Sequence, residues 1–269
     1  MDLRYFDTHC HLVHSTTAGF GYTETELAEI VTGLERERIG VLTLTTDAAT
    51  IADLGHLPAS ELIWAGVGFH PNDYAQFNAP VLKQALLNER VIAIGEIGLD
   101  DYRVPPALSR AEGEAERRAV LEQQLEVFTA QLQLAKTRNL PVSVHLRGST
   151  EVFALAERTL RQLAPLPPVN LHFFTGDTAM ALRCVDLGCF FSFGGIIFRD
   201  ESVRNILRAL PLERLLSETD SPFLHPTDRG AKNTPLTIPT IVAEMERIRG
   251  ETLQKQLVIN SFNYLRYNR

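Results

Sequence analysis

Val91–Asp100 reads VIAIGEIGLD: four apolar residues, a glycine, a carboxylate at Glu96, and a second acid at Asp100. A short run rich in Val and Ile is what a strand buried on both faces looks like. Here the run ends on a charge that burial alone would penalise. The same pattern recurs along the chain. It appears in FDTHCHL (Phe6–Leu12), PVSVHLR (Pro141–Arg147), VNLHFF (Val169–Phe174) and LLSETDSPF (Leu215–Phe223). These runs end on His9 and His11, His145, His172 and Asp220. Residues this far apart meet when parallel strands close into a barrel, because the C-terminal strand ends share one mouth. The expected fold is therefore α/β, a single (β/α)8 TIM-type barrel with its active site at that mouth.

The order of elements agrees. Strands are expected at Leu3–Asp7, Val41–Leu44, Leu62–Val67, Val91–Ile94, Val142–Val144, Val169–Leu171, Cys189–Ser192 and Leu215–Leu216. Helical patterns fall at Glu24–Arg38, Glu114–Arg138, Glu151–Leu163, Thr178–Leu187, Glu201–Leu210, Ile238–Arg249 and Glu251–Tyr267. Thr23 and Glu26 form a capping-box pair before the first helix. Pro141 stops the long helix and opens the next strand. Alternating βα units imply a parallel sheet. The stretch Asp101–Glu112, with Pro105 and Pro106, is irregular and should lie at the mouth, where loops carry function.

The chain has 269 residues, a length that suits one barrel domain spanning 1–269. Hydrophobic residues make up 45 %, enough for a sizeable core. No apolar run is long enough to span a bilayer, so no membrane association is expected. The opening MDLRYFDTH lacks a signal-peptide pattern. Three cysteines, Cys10, Cys184 and Cys189, make no paired framework. A reducing, cytoplasmic location is the expectation, with a monomer rather than an obligate oligomer. The net charge of −7 argues against a broad basic groove along a duplex. It leaves room for a nucleic acid held by one end, since bound cations can supply local positive charge.

His9 and His11 are two residues apart, so in a strand both imidazoles face one side and can share a metal, while Cys10 faces away. Glu96 needs a cation or an arginine to offset its burial, and a carboxylate can bridge two cations. His145 and His172 cap neighbouring strands and can share a second metal. Asp220 can hold a metal and take the proton from an activated water. Six such N/O donors make the inventory of a two-metal hydrolase, with Glu96 and Asp220 the catalytic candidates. A set of this kind accepts Zn, Mg or Mn. His70 (GFHP), Arg147 and Lys232 are candidate phosphate contacts. Tyr102 and Phe198 could stack on a base, and Gly194 and Gly195 could open backbone N–H groups to a phosphate.

DTHCHL, GFHP, GEIGLD, the VH of PVSVHLR, LHFFTGD, FFSFGG and ETDSP follow one another in the order of a known family. From Phe6 to about Pro235 the chain resembles the TatD metal-dependent hydrolases, within the amidohydrolase-like barrels. The resemblance implies a bimetallic DNase that trims DNA from the 3′ end. It implies one metal on His9, His11 and Asp220, a second on His145 and His172, and Glu96 between them. Two departures bear on substrate placement. His172-Phe173-Phe174-Thr175-Gly176 stands where the family often has HCFSG, so a thiol is lost and a hydroxyl kept. Lys232-Asn233-Thr234-Pro235 stands in place of an RNEP-like run, with a point charge instead of a bidentate fork.

Two other readings stay open at this stage. One is hydrolysis of a carboxylic ester or amide, such as aminoacyl-tRNA deacylation, because one scaffold hosts many chemistries. The other is a non-catalytic barrel subunit of a larger complex, against which the full ligand set argues.

Overall fold

The computed structural model describes residues 2–13, 21–102 and 110–266. Eight parallel strands follow one another around a single sheet in sequence order. They are β1 (Tyr5–Cys10), β2 (Ile39–Leu44), β3 (Ile63–Val67), β4 (Val91–Asp100), β5 (Val142–Arg147), β6 (Val169–His172), β7 (Phe190–Phe193) and β8 (Leu215–Ser217). The helices are α1 (Glu24–Glu37), α2 (Ala48–Ala52), α3 (Ala79–Ala85), α4 (Arg110–Arg138), α5 (Thr150–Leu163), α6 (Thr178–Asp186), α7 (Glu201–Ala209), α8 (Ile238–Arg249) and α9 (Gln254–Leu265). This is the (β/α)8 barrel that the strand pattern implies.

The seam between β8 and β1 is held by side chains as well as backbone. Ser217 Oγ donates to Phe6 O at 2.8 Å and Thr8 Oγ1 donates to Ser217 O at 3.0 Å. Asp7 accepts from Thr219 N at 2.9 Å and Thr219 Oγ1 at 2.6 Å. Nearer the mouth, Asp220 N donates to His9 O at 2.9 Å and His11 N donates to Ser221 O at 2.7 Å. The last strand end is thereby fixed against the first, and Asp220 against His9 and His11.

The other end of the lumen is filled. Phe6 of β1 stacks on Trp64 of β3 at 5.5 Å, a contact between non-neighbouring strands that places both inside the barrel. Leu42, Ala93, Phe190 and Leu216 join them, and α9 adds Tyr264 and Leu265 as a plug. Burying a side chain such as Phe6 contributes roughly 1.5–3 kcal/mol. The apolar floor leaves only the C-terminal mouth for chemistry.

Two bulges decide which side chains face that mouth. Along β1, Asp7 pairs with Val41 but Cys10 pairs with Thr43, so β1 carries one extra residue. Phe6 belongs to the lumen cluster and Cys10 to the outer core, although strict alternation would put them on one side. The extra residue reverses the alternation and turns His9 inward. Along β4, Ile94 pairs with Val142 and Ile97 with Val144, again with one residue too many. Ile94 and Ile97 both pack in the outer core, and Glu96 between them faces the lumen. Gly98 has φ +153°, and a Cβ there would lie 1.9 Å from His145 O, so the second glycine of GEIG lets β4 and β5 approach.

Several boundaries differ from the sequence reading. β4 runs six residues beyond Ile94 and β5 three beyond Val144, because the sheet stays paired through Asp100 and Arg147. α4 starts at Arg110, so the end of the segment expected to be irregular is helical, while residues 103–109 lie outside the described residues. α2 and α3 were not expected. They have five and seven residues, too few for an apolar period, and are set by caps on Asp47 and Asn78. The capping box of Thr23 and Glu26 is formed, with Thr23 N donating to Glu26 Oε2 at 2.7 Å.

Candidate metal centre

Glu96 sits at the middle of the mouth, and its two oxygens face two groups of histidines. Oε2 lies 3.4 Å from His11 Nε2 and 3.5 Å from His9 Nε2. Oε1 lies 2.8 Å from His145 Nδ1, 2.9 Å from His172 Nε2 and 3.7 Å from His70 Nε2. Asp220 Oδ1 completes the first group, 3.5 Å from His11 Nε2 and 3.7 Å from His9 Nε2. All six residues at the strand ends therefore converge, as do His70 and its neighbours. His9, His11 and Glu96 bring ligand atoms close enough to hold one ion, and so do His70, Glu96 and His145.

The rings are held from behind. His9 Nδ1 is 2.9 Å from Ser143 Oγ, and His11 Nδ1 is 3.1 Å from Leu44 O. The carbonyl can only accept, so His11 carries a proton on Nδ1 and turns Nε2 to the mouth, where, against burial, Asp220 and Glu96 push the ring's pKa up. His70 Nδ1 accepts from Asn72 N at 3.1 Å, which puts its proton on Nε2.

The charges fit this geometry. Burial opposes ionisation of Glu96, but the surrounding His70, His172 and His9 and the bond to His145 hold it well below the usual carboxylate range. Burial likewise opposes charge on His172 and His145, and carboxylates overcome it. Glu96 and Glu218 push His172 well up, and Asp100 and Glu96 push His145 up. His9 is pushed down by burial and by the His172 charge, and His70 is lowered to about 3, chiefly by burial. Asp220 is partly buried, and its bond to His11 and the other nearby imidazoles hold it below the usual range.

The cluster forms the floor of a pocket of about 620 Å³. Arg147, Asn72, Asp73, Thr175, Phe173 and Phe223 are among its walls. Of the expected phosphate contacts, His70 and Arg147 line the pocket. Lys232 does not: its ammonium binds Glu26 Oε1 at 2.8 Å and Gly21 O at 3.0 Å, at the start of α1. Arg147 lies over the Tyr102 ring, 4.1 Å from its centre, and Tyr102 is 65 % exposed.

The site also contains one residue that the sequence reading passed over, Glu218, fully buried two residues before Asp220. Asp100, which the sequence offers either as a partner behind the ligands or as a solvated loop acid, is buried and meets His145 Nε2 at 3.1 Å. For Glu218 the available signal was the carboxylate spacing itself, since it repeats the parity of Asp220.

Residues 6–268 match the family model described as TatD related DNase. The chain belongs to the TatD family of metal-dependent hydrolases. It is 29 % identical over 270 residues to the uncharacterized metal-dependent hydrolase YabD of Bacillus subtilis (strain 168), covering 96 % of each chain. It is 33 % identical over 204 residues, 71 % of each chain, to the 3′-5′ ssDNA/RNA exonuclease TatD of Klebsiella pneumoniae (strain 342). Among solved structures it is similar to YJJV, a TatD homolog from Escherichia coli K12, with a TM-score of 0.77, 25 % identity and full coverage of both chains. No helix among the described residues is long and apolar enough to cross a membrane.

Proposed function

We propose that this hydrolase is a nuclease that removes nucleotides from the 3′ end of single-stranded DNA, using two divalent cations, Zn, Mg or Mn. The observation that carries the reading is Glu96, whose oxygens face separate histidine groups. One cation would be held by His9, His11, Asp220 and Glu96, the other by Glu96, His145 and His172. The donors fit such ions: all are imidazole nitrogen or carboxylate oxygen, and the nearby thiol, Cys10, faces the outer core. The relative named as a 3′-5′ ssDNA/RNA exonuclease supports the choice of substrate.

When bound, the cations would polarise a phosphoryl oxygen and acidify the attacking water. Asp220 takes the water's proton. Its side chain is 14 % exposed, against 4 % for Glu96, 1 % for Asp100 and none for Glu218, so it is the clustered carboxylate that water can reach. It is also ionised at neutral pH, as an acceptor must be. His70 is neutral and presents Nε2–H from the floor, where it can donate to a phosphoryl oxygen. Arg147 offers a planar fork to a phosphate at the wall. The free, buried cysteines support work in the reducing cytoplasm.

The test is hydrolysis by the metal-loaded protein of single- and double-stranded DNA and RNA, each labelled at the 3′ or 5′ end, beside a panel of carboxylic esters and aminoacyl-tRNA. Stepwise release of the 3′ label from single strands is expected. Turnover of the esters with intact polynucleotides would replace this reading with deacylation.

A further inference from the structure

The two histidine groups differ in what stands behind the rings. His9 and His11 rest on neutral partners, the Ser143 hydroxyl and the Leu44 carbonyl. His145 and His172 each face a second buried carboxylate. His145 Nε2 meets Asp100 Oδ2 at 3.1 Å, on the opposite side of the ring from Glu96. His172 Nδ1 faces Glu218 Oε2 at 3.6 Å, again opposite the nitrogen that meets Glu96. That Nδ1 is enclosed and has no hydrogen-bond partner among the described residues.

Both carboxylates are themselves fixed. Asp100 Oδ1 accepts from Tyr102 N at 2.8 Å, and Gln124 of α4 clamps the Asp100 backbone with two bonds of 2.8 Å. Glu218 Oε1 accepts from Phe173 N at 2.9 Å, and Oε2 accepts from the Ser192 hydroxyl, which Asn170 holds from the other side. A buried carboxylate with no lysine or arginine partner is expensive unless donors surround it. Here Asp100 Oδ2 faces His145 Nε2 and also accepts from Asn72 Nδ2 at 3.5 Å, and Glu218 Oε2 faces His172 Nδ1.

Resting on the two-cation reading, we propose that Asp100 and Glu218 are positioning residues for one half of the centre. Asp100 holds the Nε2 proton of His145, so that this ring presents Nδ1 to a cation. Glu218 places its charge 3.6 Å in front of His172 Nδ1 and so favours the proton on that nitrogen, so that this ring presents Nε2. The two presented nitrogens lie 3.3 Å apart and converge on Glu96 Oε1. A carboxylate behind an imidazole fixes its tautomer and raises its basicity, and loss of such a partner typically weakens metal binding 10–100-fold. The His9/His11 half rests on the Ser143 hydroxyl and the Leu44 carbonyl and draws its second negative charge from Asp220 directly.

The experiment uses Zn²⁺ as the probe. Stoichiometry and affinity are measured by competition with a chelating indicator for the wild type, His145→Ala, Asp100→Asn, Glu218→Gln and Ser143→Ala. The two-cation reading requires two equivalents in the wild type and the loss of one in His145→Ala; if those fail, that reading fails first. Given them, Asp100→Asn and Glu218→Gln should each weaken one equivalent by about 10–100-fold and leave the other unchanged. Ser143→Ala should spare the equivalent that they weaken. Unchanged Zn²⁺ affinity in folded Asp100→Asn and Glu218→Gln would overturn the proposal. If either variant does not fold, ¹⁵N spectra of the Zn²⁺-loaded wild type decide. An Nε2–H His145 and an Nδ1–H His172 are expected, and the opposite tautomer in either overturns it.

Discussion

The ring of His9, on β1, stacks on that of His172, on β6, with centroids 3.6 Å apart and planes 11° from parallel. Two strands from opposite walls of the barrel thus touch through ligand candidates, and the lumen above the apolar plug is filled with imidazole and carboxylate. Holding these groups together without a cation is unfavourable, since four carboxylates and several imidazoles share one desolvated volume. The hydrophobic lumen below makes no use of them.

Removing divalent ions should therefore abolish hydrolysis and lower the melting temperature while leaving the barrel folded. The core around Phe6, Trp64 and Tyr264 is apolar and independent of the mouth, unlike a zinc finger's. Re-addition of a divalent ion should restore activity, and stabilisation should grow with its concentration as mass action requires. Circular dichroism and turnover after chelation check both parts. Undiminished hydrolysis after exhaustive EDTA would rule out the cation mechanism.

Glu96→Gln should lose most activity and retain the fold. An amide keeps the volume but supplies no charge to either histidine group, and both proposed cations lose a shared ligand. Bound metal should fall in parallel. Near wild-type turnover with full metal content would show that Glu96 does not bridge.

The barrel and its strand-end residues were legible because each polar residue interrupts an apolar run, and burial makes such an interruption expensive unless it has a purpose. Register was less legible. The bulges at Asp7–Cys10 and Ile94–Ile97 reverse side-chain alternation, and nothing local in FDTHC or IGEI marks where the extra residue goes. Glu218 was hidden for a related reason. In SETDSP it reads as one more loop acid, and only the packing of β7 and β8 shows it enclosed by Ser192, Phe173 and His172. Lys232 failed as a pocket residue because its partner, Glu26, is 206 positions away. A pairing set by tertiary structure leaves no trace in the segment around it.

Asp73 gives a pH dependence with a definite sign. It lines the pocket, half-buried, and burial with the charges of Asp47 and Glu96 raises its carboxyl from an ordinary 3.8 to about 6. A raised carboxyl binds its proton more tightly in the folded state. Its contribution to stability is full below pH about 4 and is lost as pH rises through about 6. For activity, ionisation puts a negative charge beside an incoming phosphate. One such charge at about 8 Å in a water-like dielectric is worth about 0.5 kcal/mol, or about twofold in affinity. KM for an oligonucleotide should therefore rise about twofold between pH 5 and 7.5, and Asp73→Asn should flatten that rise. An identical KM profile in the variant would assign the inflection elsewhere.

Asp220→Asn should separate binding from proton transfer. Asp220 is anchored by its N–H on His9 O, so the asparagine can take up the same position at the seam. The amide oxygen can still face His9 and His11, and part of the metal affinity should remain. It cannot accept the proton of the attacking water, and loss of a general base typically lowers turnover by about 10²–10⁴. Metal content and single-turnover rate are to be measured on the same sample, because a fall in occupancy alone would mimic a loss of chemistry. With occupancy restored by excess cation, a rate within about tenfold of wild type would show that another group takes the proton. A full loss that persists at saturating cation would leave Asp220 as the base, since Glu96 is both more deeply buried and turned between the two histidine groups.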